Sequence, residues 1–411
     1  MSDLLNVDSA LDNILARIQR LPTETLALDD SLGRVLAEDI IADANVPPFA
    51  NSSMDGYAVR AEDVAQVPVN LRLVLDIPAG ASPTHAISIG EAARIMTGAP
   101  LPDGANTIIP VENTDTRFVP GEDSILPESV TVRKGSKAGD YVRPIGEDFR
   151  VGQTVLASGT VLRPQEIGIL AALGKAQIPV IRQPRVAILS SGDELIGVDE
   201  PLTPGKIRDV NGYTLTGLVK DLGSIPLRLP IARDTLDDLR HLFRSALEQQ
   251  PDVIVSSAGV SVGSFDFVRT VLDELGQVSF WRINLRPGKP LAFGDLQGVP
   301  FFGLPGNPVS AMVTFDVLVR PALLKLAGKP DDAQTEQAIV GEDLRSDGRR
   351  SYVRVKLTKE AGRLVARTTG TQSSGALMSM VLADGLLIVP EDVYEVKAGT
   401  ELPVRLFRKI D

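Results

Sequence analysis

Residues 185–191 read RVAILSS, residues 225–232 read IPLRLPIA and residues 252–259 read DVIVSSAG. Each is a short apolar run with the length of a buried strand, and the segments that separate them, 211–223 and 234–250, have helical patterns. Strands that alternate with helices form a mostly parallel sheet with helices on its faces. The sequence therefore predicts an α/β domain. It continues through helices at 265–276 and 307–328 and strands at 278–285 and 299–305.

The chain on either side of this domain has different patterns. VDSALDNILARIQRL at 7–21 spaces its leucines and isoleucines three to four residues apart, which predicts an amphipathic helix capped by Asp8 or Ser9. From about residue 46 to 142 short runs rich in valine, isoleucine and threonine lie between prolines and glycines, which predicts a β-rich domain. Alternating runs such as SYVRVKLT and ELPVRLF predict a small all-β domain after residue 328.

Composition limits the class of protein. A chain of 411 residues is too long for one ordinary core, so two to four domains are expected. No apolar run reaches the roughly 18 residues that cross a bilayer, and the first residues do not resemble a secretory signal. The absence of cysteine excludes thiolate chemistry and fits a reducing cytoplasm. A net charge of -11 argues against non-specific nucleic-acid binding but leaves room for a local basic pocket.

Four loops follow the predicted strands at the carboxyl edge of the sheet, where ligands bind in folds of this class. Small residues between a strand and a helix let backbone N–H groups approach an anion, which the helix dipole also favours. Each loop alone is as readily explained as an ordinary connection. Four at one edge favour a binding site; they are residues 190–194, 232–234, 256–266 and 304–308.

Carboxylates accompany these loops. Asp193, Glu194, Asp234 and Asp266 are expected near the same edge, and carboxylate oxygens are ligands that suit Mg²⁺. The alternative for each acid is a helix cap or a first-turn acid that offsets the helix dipole.

Basic residues form a second group. Arg282, Arg286 and Lys289 occur in WRINLRPGKP, and Lys206 and Arg208 occur in GKIRDV. Arg282 and Arg286 are four residues apart, so on one strand they lie on the same side and can bind an oxyanion. The alternative is a solvated edge strand.

Two other chemistries are disfavoured. Residues 259–263 match the G-x-S-x-G nucleophile elbow, but that motif needs a later histidine, and both His85 and His241 come earlier. The sequence contains no Walker A motif, no G-x-G-x-x-G and no H-E-x-x-H, so neither a P-loop, a Rossmann site nor a zinc hydrolase is supported.

Several motifs together resemble the MoeA family and the related gephyrin E domain. They are NSSMDGYA at 51–58, RIMTGAP at 94–100, GED at 146–148, SGDEL at 191–195, the S-x-G-V-S-x-G run at 257–263, PGKP at 287–290 and LPGNP at 304–308. They follow the order of the family and cover nearly the whole chain. The motifs together are therefore more specific for this family than any one of them.

The resemblance implies an elongated homodimer of four-domain subunits. We expect the active site to be shared between subunits, because the β-rich insertion leaves and re-enters the chain through one short base and would project over the partner's cleft; the alternative is that Asp55 only caps a turn. Residues 1–45 and 144–184 would form a discontinuous N-terminal domain around a β-rich insertion at 46–143. Residues 185–328 would form the molybdopterin-binding α/β domain, and 329–411 a C-terminal β-barrel. The implied reaction is molybdenum cofactor biosynthesis: molybdate is inserted into adenylylated molybdopterin, AMP is released, and Mg²⁺ assists. Implied partners are a molybdopterin adenylyltransferase and acceptor molybdoenzymes, in the cytoplasm, without membrane or nucleic acid.

The resemblance also implies site residues. Catalytic positions fall on Asp55, Thr97, Asp148, Glu194, Asp234 and Asp266, of which the last three would hold the metal; substrate positions fall on Pro305, Pro308, Arg350 and Ser374. The loop argument adds substrate-binding positions at Ser257, Gly259, Ser261, Gly263, Arg282, Arg286, Lys289, Gly306 and Asn307. This chain departs from the family at positions 282 and 286, where the family often has lysine and this chain has the planar fork of arginine.

Two other functions share parts of this pattern. A gephyrin-like scaffold would favour a fused domain and a long disordered linker, and the chain shows neither. A molybdopterin adenylyltransferase would share the α/β domain but be much shorter. The sequence does not separate molybdate from tungstate, because both are tetrahedral oxyanions of similar size.

Overall fold

The computed structural model describes residues 4–116, 126–257, 265–331 and 333–407, without the side chains of residues 265, 266 and 280. The chain forms two compact units. The larger unit comprises Met1–Glu24, Gly33–Val35 and Pro179–Asp411, and the smaller comprises Thr25–Leu32 and Leu36–Ile178. The finer division into four domains stays a prediction.

A six-stranded sheet forms the centre of the larger unit. The spatial order of its strands is Ile225–Arg228, Arg185–Leu189, Val253–Ser256, Val299–Gly303, Pro290–Leu296 and Gly276–Arg282. The first four strands are parallel, and Pro290–Leu296 is antiparallel to both of its neighbours. The central strands are buried because their apolar side chains face helices on both sides. The predicted mostly parallel sheet is confirmed.

Helices cover both faces of this sheet. Successive residues of each strand pack into different hydrophobic cores, one on each face of the sheet. Val186 and Val253 pack on one face, and Ala187 and Ile254 pack on the other. The helices of the larger unit are Val7–Leu15, Val210–Asp221, Leu236–Glu248, Phe265–Leu275, Pro308–Thr314 and Arg320–Leu326, the last two joined by a π-helical turn at Phe315–Val319. The predicted helix at 307–328 is therefore present, but its middle turn is π-helical and not α-helical.

The first helix differs from the prediction in its cap and its length. The side chain of Asn6 accepts hydrogen bonds from the backbone N–H groups of Asp8 (2.9 Å) and Ser9 (3.2 Å), so the predicted caps Asp8 and Ser9 are wrong. The helix ends at Leu15 and not at residue 21.

A closed barrel follows the α/β core. Five strands form a ring in the order Arg350–Glu360, Arg363–Thr368, Thr335–Val340, Glu401–Leu406 and Gly385–Val389, and the last pairs with the first. The short strand Leu285–Arg286 adds to the edge of Arg350–Glu360. The larger unit also contains smaller elements: the paired strands Leu344–Arg345 and Glu395–Val396, the paired strands Leu195–Ile196 and Ile207–Arg208, and the short helix Met378–Val381. The predicted C-terminal barrel is confirmed.

The smaller unit is rich in strands, as the sequence predicts. Its main sheet has the order Thr107–Pro110, Gly56–Val59, Glu91–Ile95, Val69–Ile77 and Ser129–Val132. Asn51–Ser52 pairs with Val142–Arg143, and Ile40–Ile41 pairs with Thr154–Leu156. The other elements of this part are the helix Pro164–Ala172 and the 3₁₀ turns Leu28–Asp30, Ala61–Val64 and Val111–Asn113. The strands Thr23–Ala27 and Gln177–Ile181 each contain a boundary between the two units. Over the described ranges of both units, no helix is long and apolar enough to cross a membrane.

Candidate functional site

A cavity of about 730 Å³ opens in the larger unit, at the carboxyl edge of the sheet and beside the barrel. Its walls bring together eight of the residues that the sequence predicts for a site, although they lie up to 180 positions apart in the chain. These residues are Glu194, Asp234, Arg286, Lys289, Pro305, Gly306, Asn307 and Ser374.

One wall of the cavity is acidic. The loops that carry Glu194 and Asp234 are joined by a parallel bridge between Ser191 and Ala232, in which Gly192 N donates to Ala232 O at 3.1 Å. Gly192 is required here, because its φ of 151° is left-handed and a Cβ would lie 2.7 Å from Glu194 Oε2. The backbone thus holds two carboxylates at the same edge.

Asp234 is an unusual carboxylate. Its Oδ1 atom is buried and accepts no hydrogen bond, and the cap of the following helix is Thr235, whose hydroxyl accepts from Asp238 N at 3.2 Å. Burial raises the pKa of Asp234, and the negative charges of Glu194 and Asp193 raise it further. Asp234 is therefore not a helix cap, and a cation beside it would relieve both effects.

The predicted metal site is only partly described. Within the part of the chain that the structure describes, no three histidine, cysteine or acidic side chains group closely enough to hold a metal ion. Glu194 and Asp234 lie at the cavity, but the side chain of the third predicted ligand, Asp266, lies outside the described residues. The orphaned oxygen of Asp234 fits a cation, and the complete ligand set stays a prediction.

The lining of the cavity is mostly basic, and its cationic residues are called the basic wall below. Five cationic side chains line the cavity together with the two carboxylates, an excess that contrasts with the negative charge of the whole chain; they are Arg286, Lys289, Arg345, Arg349 and Arg354. Positive charge along a cavity raises the local concentration of anions. The cavity is therefore suited to an anionic ligand.

Arg354 is the most buried of these cations, with 1% of its surface exposed. Its guanidinium donates to Ser379 Oγ at 3.2 Å and to Ser373 O at 3.1 Å, and no described carboxylate pairs with it. Burial lowers the pKa of Arg354, and the nearby charge of Arg286 lowers it further. A buried cation that lacks a carboxylate partner and lines a cavity is a strong candidate for an anion ligand.

Arg286 and Arg349 are held by one carboxylate. Asp347 accepts from Arg349 Nε at 3.1 Å, and its Oδ2 lies 3.9 Å from Arg286 Nη1. Burial would raise the pKa of Asp347, but the hydrogen bonds from Arg349 lower it overall. Arg349 Nη1 also donates to Leu285 O at 3.0 Å, so the barrel loop fixes the short strand that carries Arg286.

Two tight turns complete the cavity. Gly288 in the PGKP turn has φ 123°, and a Cβ there would lie 2.3 Å from Thr314 Oγ1, so only glycine fits. In the LPGNP loop, Leu304 N donates to Ser256 O at 2.7 Å, and Asn211 Nδ2 donates to Gly306 O at 2.7 Å. Both turns are therefore fixed by the α/β core.

Comparison with known proteins identifies the family. Residues 5–174 match the "MoeA N-terminal region (domain I and II)", residues 187–325 match the "Probable molybdopterin binding domain", and residues 337–407 match the "MoeA C-terminal region (domain IV)". The chain belongs to the MoeA family. The predicted resemblance is confirmed.

Individual relatives match over nearly their full length. "Molybdopterin molybdenumtransferase 2" of Mycobacterium tuberculosis is 38% identical over 393 residues, which is 92% of this chain and 94% of that protein. The molybdopterin molybdenumtransferase of Haemophilus influenzae is 36% identical over 413 residues, 99% of this chain and all of that protein. The crystal structure of a molybdopterin biosynthesis MoeA protein from Pyrococcus horikoshii superposes with a TM-score of 0.83 at 33% identity, over 99% of this chain and 100% of that one.

The structure separates Arg282 from Arg286, which the sequence placed on one strand. The sheet strand ends at Arg282, and Arg286 belongs to the short strand that pairs with the barrel. The shared-face interpretation is therefore wrong, because the chain leaves the sheet between these residues. Arg286 lines the cavity and Arg282 does not.

Arg350 also lies away from the cavity walls. It donates to both carboxylate oxygens of Asp8 at 2.6 and 2.7 Å and lies 3.5 Å from Glu391 Oε1, so its partners explain its position structurally. On the strand Arg350–Glu360 the arginine that lines the cavity is Arg354, four residues later, which sequence reasoning missed. Residues four positions apart on a strand lie on the same side, so the alternation of side chains could not distinguish Arg350 from Arg354.

Other predicted substrate positions have mixed placements. Ser257 is buried, with its Oγ 3.4 Å from Ser190 Oγ, and it does not line the cavity. Pro308 begins the helix after the LPGNP loop and is also absent from the walls. Gly259, Ser261 and Gly263 lie outside the described residues.

Three predicted catalytic residues belong to the smaller unit. Asp55 Oδ1 accepts hydrogen bonds from Thr97 N and Thr97 Oγ1, both at 2.7 Å. Asp148 Oδ2 lies 4.0 Å from Arg143 Nη2, and Arg143 also bonds to Glu147 at 2.6 Å. The RIMTG and SSMDG motifs are thus joined through one carboxylate.

Proposed function

We propose that this chain inserts molybdate into adenylylated molybdopterin and releases AMP. The observation that carries the proposal is the cavity, which five cationic side chains line together with two carboxylates. Relatives named molybdopterin molybdenumtransferase match along nearly the whole chain, which supports the reaction class. Both proposed substrates are anions, so they suit the basic wall.

The cationic residues hold the oxyanions in this proposal. Arg354 is fixed by Ser379 and by backbone carbonyl oxygens, so it presents charge without reorganisation when the substrate arrives. Arg286 and Lys289 extend this wall beside the PGKP turn. They attract molybdate and the phosphates, and they stabilise negative charge that develops as the phosphoanhydride breaks.

The acidic wall would hold Mg²⁺ through Glu194 and Asp234, with Asp266 as a third ligand. When bound, the ion would neutralise charge on the bridging phosphates. Water attacks the adenylyl phosphorus, the phosphoanhydride P–O bond breaks, and the phosphate of molybdopterin leaves, so that AMP is released; where an oxygen of molybdate attacks first, water then hydrolyses the adenylyl–molybdate anhydride to AMP and molybdate. The two dithiolene thiols bind molybdenum, and their protons leave as water together with one oxygen of molybdate. The chain contains no cysteine, so no protein thiolate takes part.

We also propose that the protein acts as a cytoplasmic homodimer with shared active sites. Asp55, Thr97 and Asp148 of one subunit would act together with the cavity of the other. An upstream molybdopterin adenylyltransferase and downstream acceptor molybdoenzymes would be its partners. The support is the family membership of the chain and the polar Asp55–Thr97 pair, which the smaller unit presents at a turn.

Product analysis tests the proposed reaction. The purified protein is incubated with adenylylated molybdopterin and Mg²⁺, with and without molybdate, and AMP and molybdenum-loaded cofactor are quantified. We expect one AMP for each molybdenum inserted, and little AMP without molybdate. AMP release that proceeds without any molybdenum insertion would contradict the proposal and indicate a simple hydrolase.

A further inference from the structure

Tyr141 has a backbone conformation that tyrosine rarely adopts. Its φ is 60°, in the left-handed region where glycine and asparagine are favoured and bulky residues are uncommon. The conformation is fixed, because the carbonyl oxygen of Tyr141 accepts hydrogen bonds from Ser53 N at 2.9 Å and Ser53 Oγ at 3.1 Å. A bulky residue at such a position indicates a role for its side chain.

The backbone of Tyr141 is bonded to the segment that leads to a predicted catalytic residue, Asp55. Ser52 O accepts from Gly98 N at 2.8 Å on one side, and Ser53 N donates to Tyr141 O on the other. The segment that leads to Asp55 therefore runs between Tyr141 and the turn that carries Thr97. Tyr141 is 44% exposed, so its aromatic side chain is open to a ligand, and its backbone is bonded to Ser53, two residues before Asp55.

Exposed apolar groups continue along the same pair of segments. Residues 46–53 run antiparallel to residues 141–149, with pairing at Val46 and Phe149 and at Ser52 and Val142. Phe49 and Ile145 on these segments are also large, exposed and apolar. Three exposed apolar side chains thus lie on one pair of neighbouring segments, and an exposed aromatic side chain among them suits a flat aromatic ring of a ligand.

We propose that Tyr141 stacks against a planar nitrogen heterocycle of the substrate, either the pterin or the adenine. This inference rests on the proposed function, which supplies a ligand with two such rings. The ring of Tyr141 covers one face of the heterocycle, and Asp55 and Thr97 lie where polar edge groups can reach them. The unfavourable backbone conformation is retained because the side chain binds the ligand.

The competing explanation is that residue 141 only forms the turn between Gly139 and Val142. In that case Asn or Gly would serve equally well or better, because both adopt positive φ without strain. The two explanations differ in what Tyr141→Asn does. A stacking role predicts unchanged or higher stability together with weaker ligand binding, whereas a turn role predicts no selective effect on binding.

Calorimetric titration and thermal unfolding of the full chain decide between them. The variants are Tyr141→Asn, Tyr141→Gly and Tyr141→Phe, and the probes are adenylylated molybdopterin and molybdopterin without the adenylyl group. Ala361→Asn is the matched control, because Ala361 also has positive φ (48°) but lies at the tip of a barrel hairpin. We expect Tyr141→Asn and Tyr141→Gly to bind about tenfold more weakly at undiminished melting temperature. Tyr141→Phe and the control should bind as the wild type does.

The two probes identify the ring. Equal weakening for both compounds assigns the pterin, and weakening only for the adenylylated compound assigns the adenine. Wild-type affinity in Tyr141→Asn, loss of affinity in Tyr141→Phe, or lower stability in both Tyr141→Asn and Tyr141→Gly would overturn the inference. If the wild-type chain binds both probes and catalyses the reaction, and Tyr141→Asn binds the probes equally well, only this inference is refuted. A wild-type chain that binds neither compound refutes the proposed function as well.

Discussion

Asp55 Oδ1 accepts two hydrogen bonds from Thr97, one from its backbone N–H and one from its hydroxyl, each at 2.7 Å. This carboxylate therefore connects two motifs that are 42 residues apart in the sequence. The two bonds fix the orientation of the carboxylate, and in the proposed function its second oxygen would face the ligand.

Removal of the Thr97 hydroxyl tests the importance of this orientation. Thr97→Val keeps the shape of the side chain and the backbone hydrogen bond but loses one hydrogen bond to Asp55. We expect AMP release to fall about tenfold, with little change in melting temperature. Thr84→Val is the control, since the hydroxyl of Thr84 contacts only the neighbouring His85 ring at 3.1 Å. Equal activity of the two variants would mean that Asp55 only stabilises its turn.

Subunit mixing tests the shared site. Asp55→Ala and Asp234→Ala are each expected to be inactive as purified dimers. If one site uses Asp55 of one subunit and Asp234 of the other, a mixed dimer contains one intact site. AMP release should then recover to at most about half the wild-type rate per mixed dimer after subunit exchange. Subunit exchange is monitored by mass spectrometry of tagged subunits. If exchange occurs and AMP release does not recover, each site lies within a single chain.

We expect Asp234 to lower the stability of the fold, although the reaction needs it. The folded-state pKa of Asp234 is raised by burial and by Glu194 and Asp193, so the ionised carboxylate destabilises the fold above its unfolded-state pKa. In EDTA at pH 7, Asp234→Asn should melt at the same temperature as the wild type or higher, and this difference should vanish at a pH below the unfolded pKa. AMP release by the variant should be abolished. A large fall in melting temperature at pH 7 would show that Asp234 is a structural residue.

Glu166 should make the smaller unit sensitive to acid. Its carboxylate accepts from Arg163 N at 2.9 Å and Arg163 Nη2 at 2.6 Å at the start of the helix Pro164–Ala172, and these bonds lower the pKa of Glu166 to about 2. A depressed carboxyl pKa adds stability above the unfolded pKa, and this stability is lost as pH falls from about 4.5 to 2. Glu166→Gln should therefore unfold more readily at pH 7, and its difference from the wild type should shrink across that window. A difference that stays constant from pH 7 to 2 would contradict this.

Sequence reasoning located the α/β core because its signals are local. Buried strands and amphipathic helices each carry their own periodicity, and the order of strands and helices in the larger unit agrees with the prediction. The cap at Asn6 was missed because three neighbouring polar residues have similar capping preferences, and only the backbone decides among them. The π-helical turn at Phe315–Val319 has no separate sequence pattern.

The candidate site was predicted less completely, because it depends on contacts distant in sequence. The carboxyl edge of the sheet indicated Glu194 and Asp234 correctly as neighbours of one cavity. The choice between Arg350 and Arg354 depends on Asp8, which is more than 340 residues from Arg350 and pairs with it. Nor does spacing reveal that the chain leaves the sheet after Arg282.

Arg354 and Arg350 together provide the most direct test of the account. Molybdate-dependent AMP release and melting temperature are measured for Arg354→Met and Arg350→Met, since methionine keeps the packing of the stem and removes the charge. Arg354→Met should stay folded, because it removes a buried cation that lacks a carboxylate partner among the described residues, and its AMP release should fall about a hundredfold or more. Arg350→Met should lose stability with its ion pair to Asp8 and keep AMP release. Wild-type AMP release in Arg354→Met, with activity lost in a stable Arg350→Met, would contradict the assignment of the cavity as the active site.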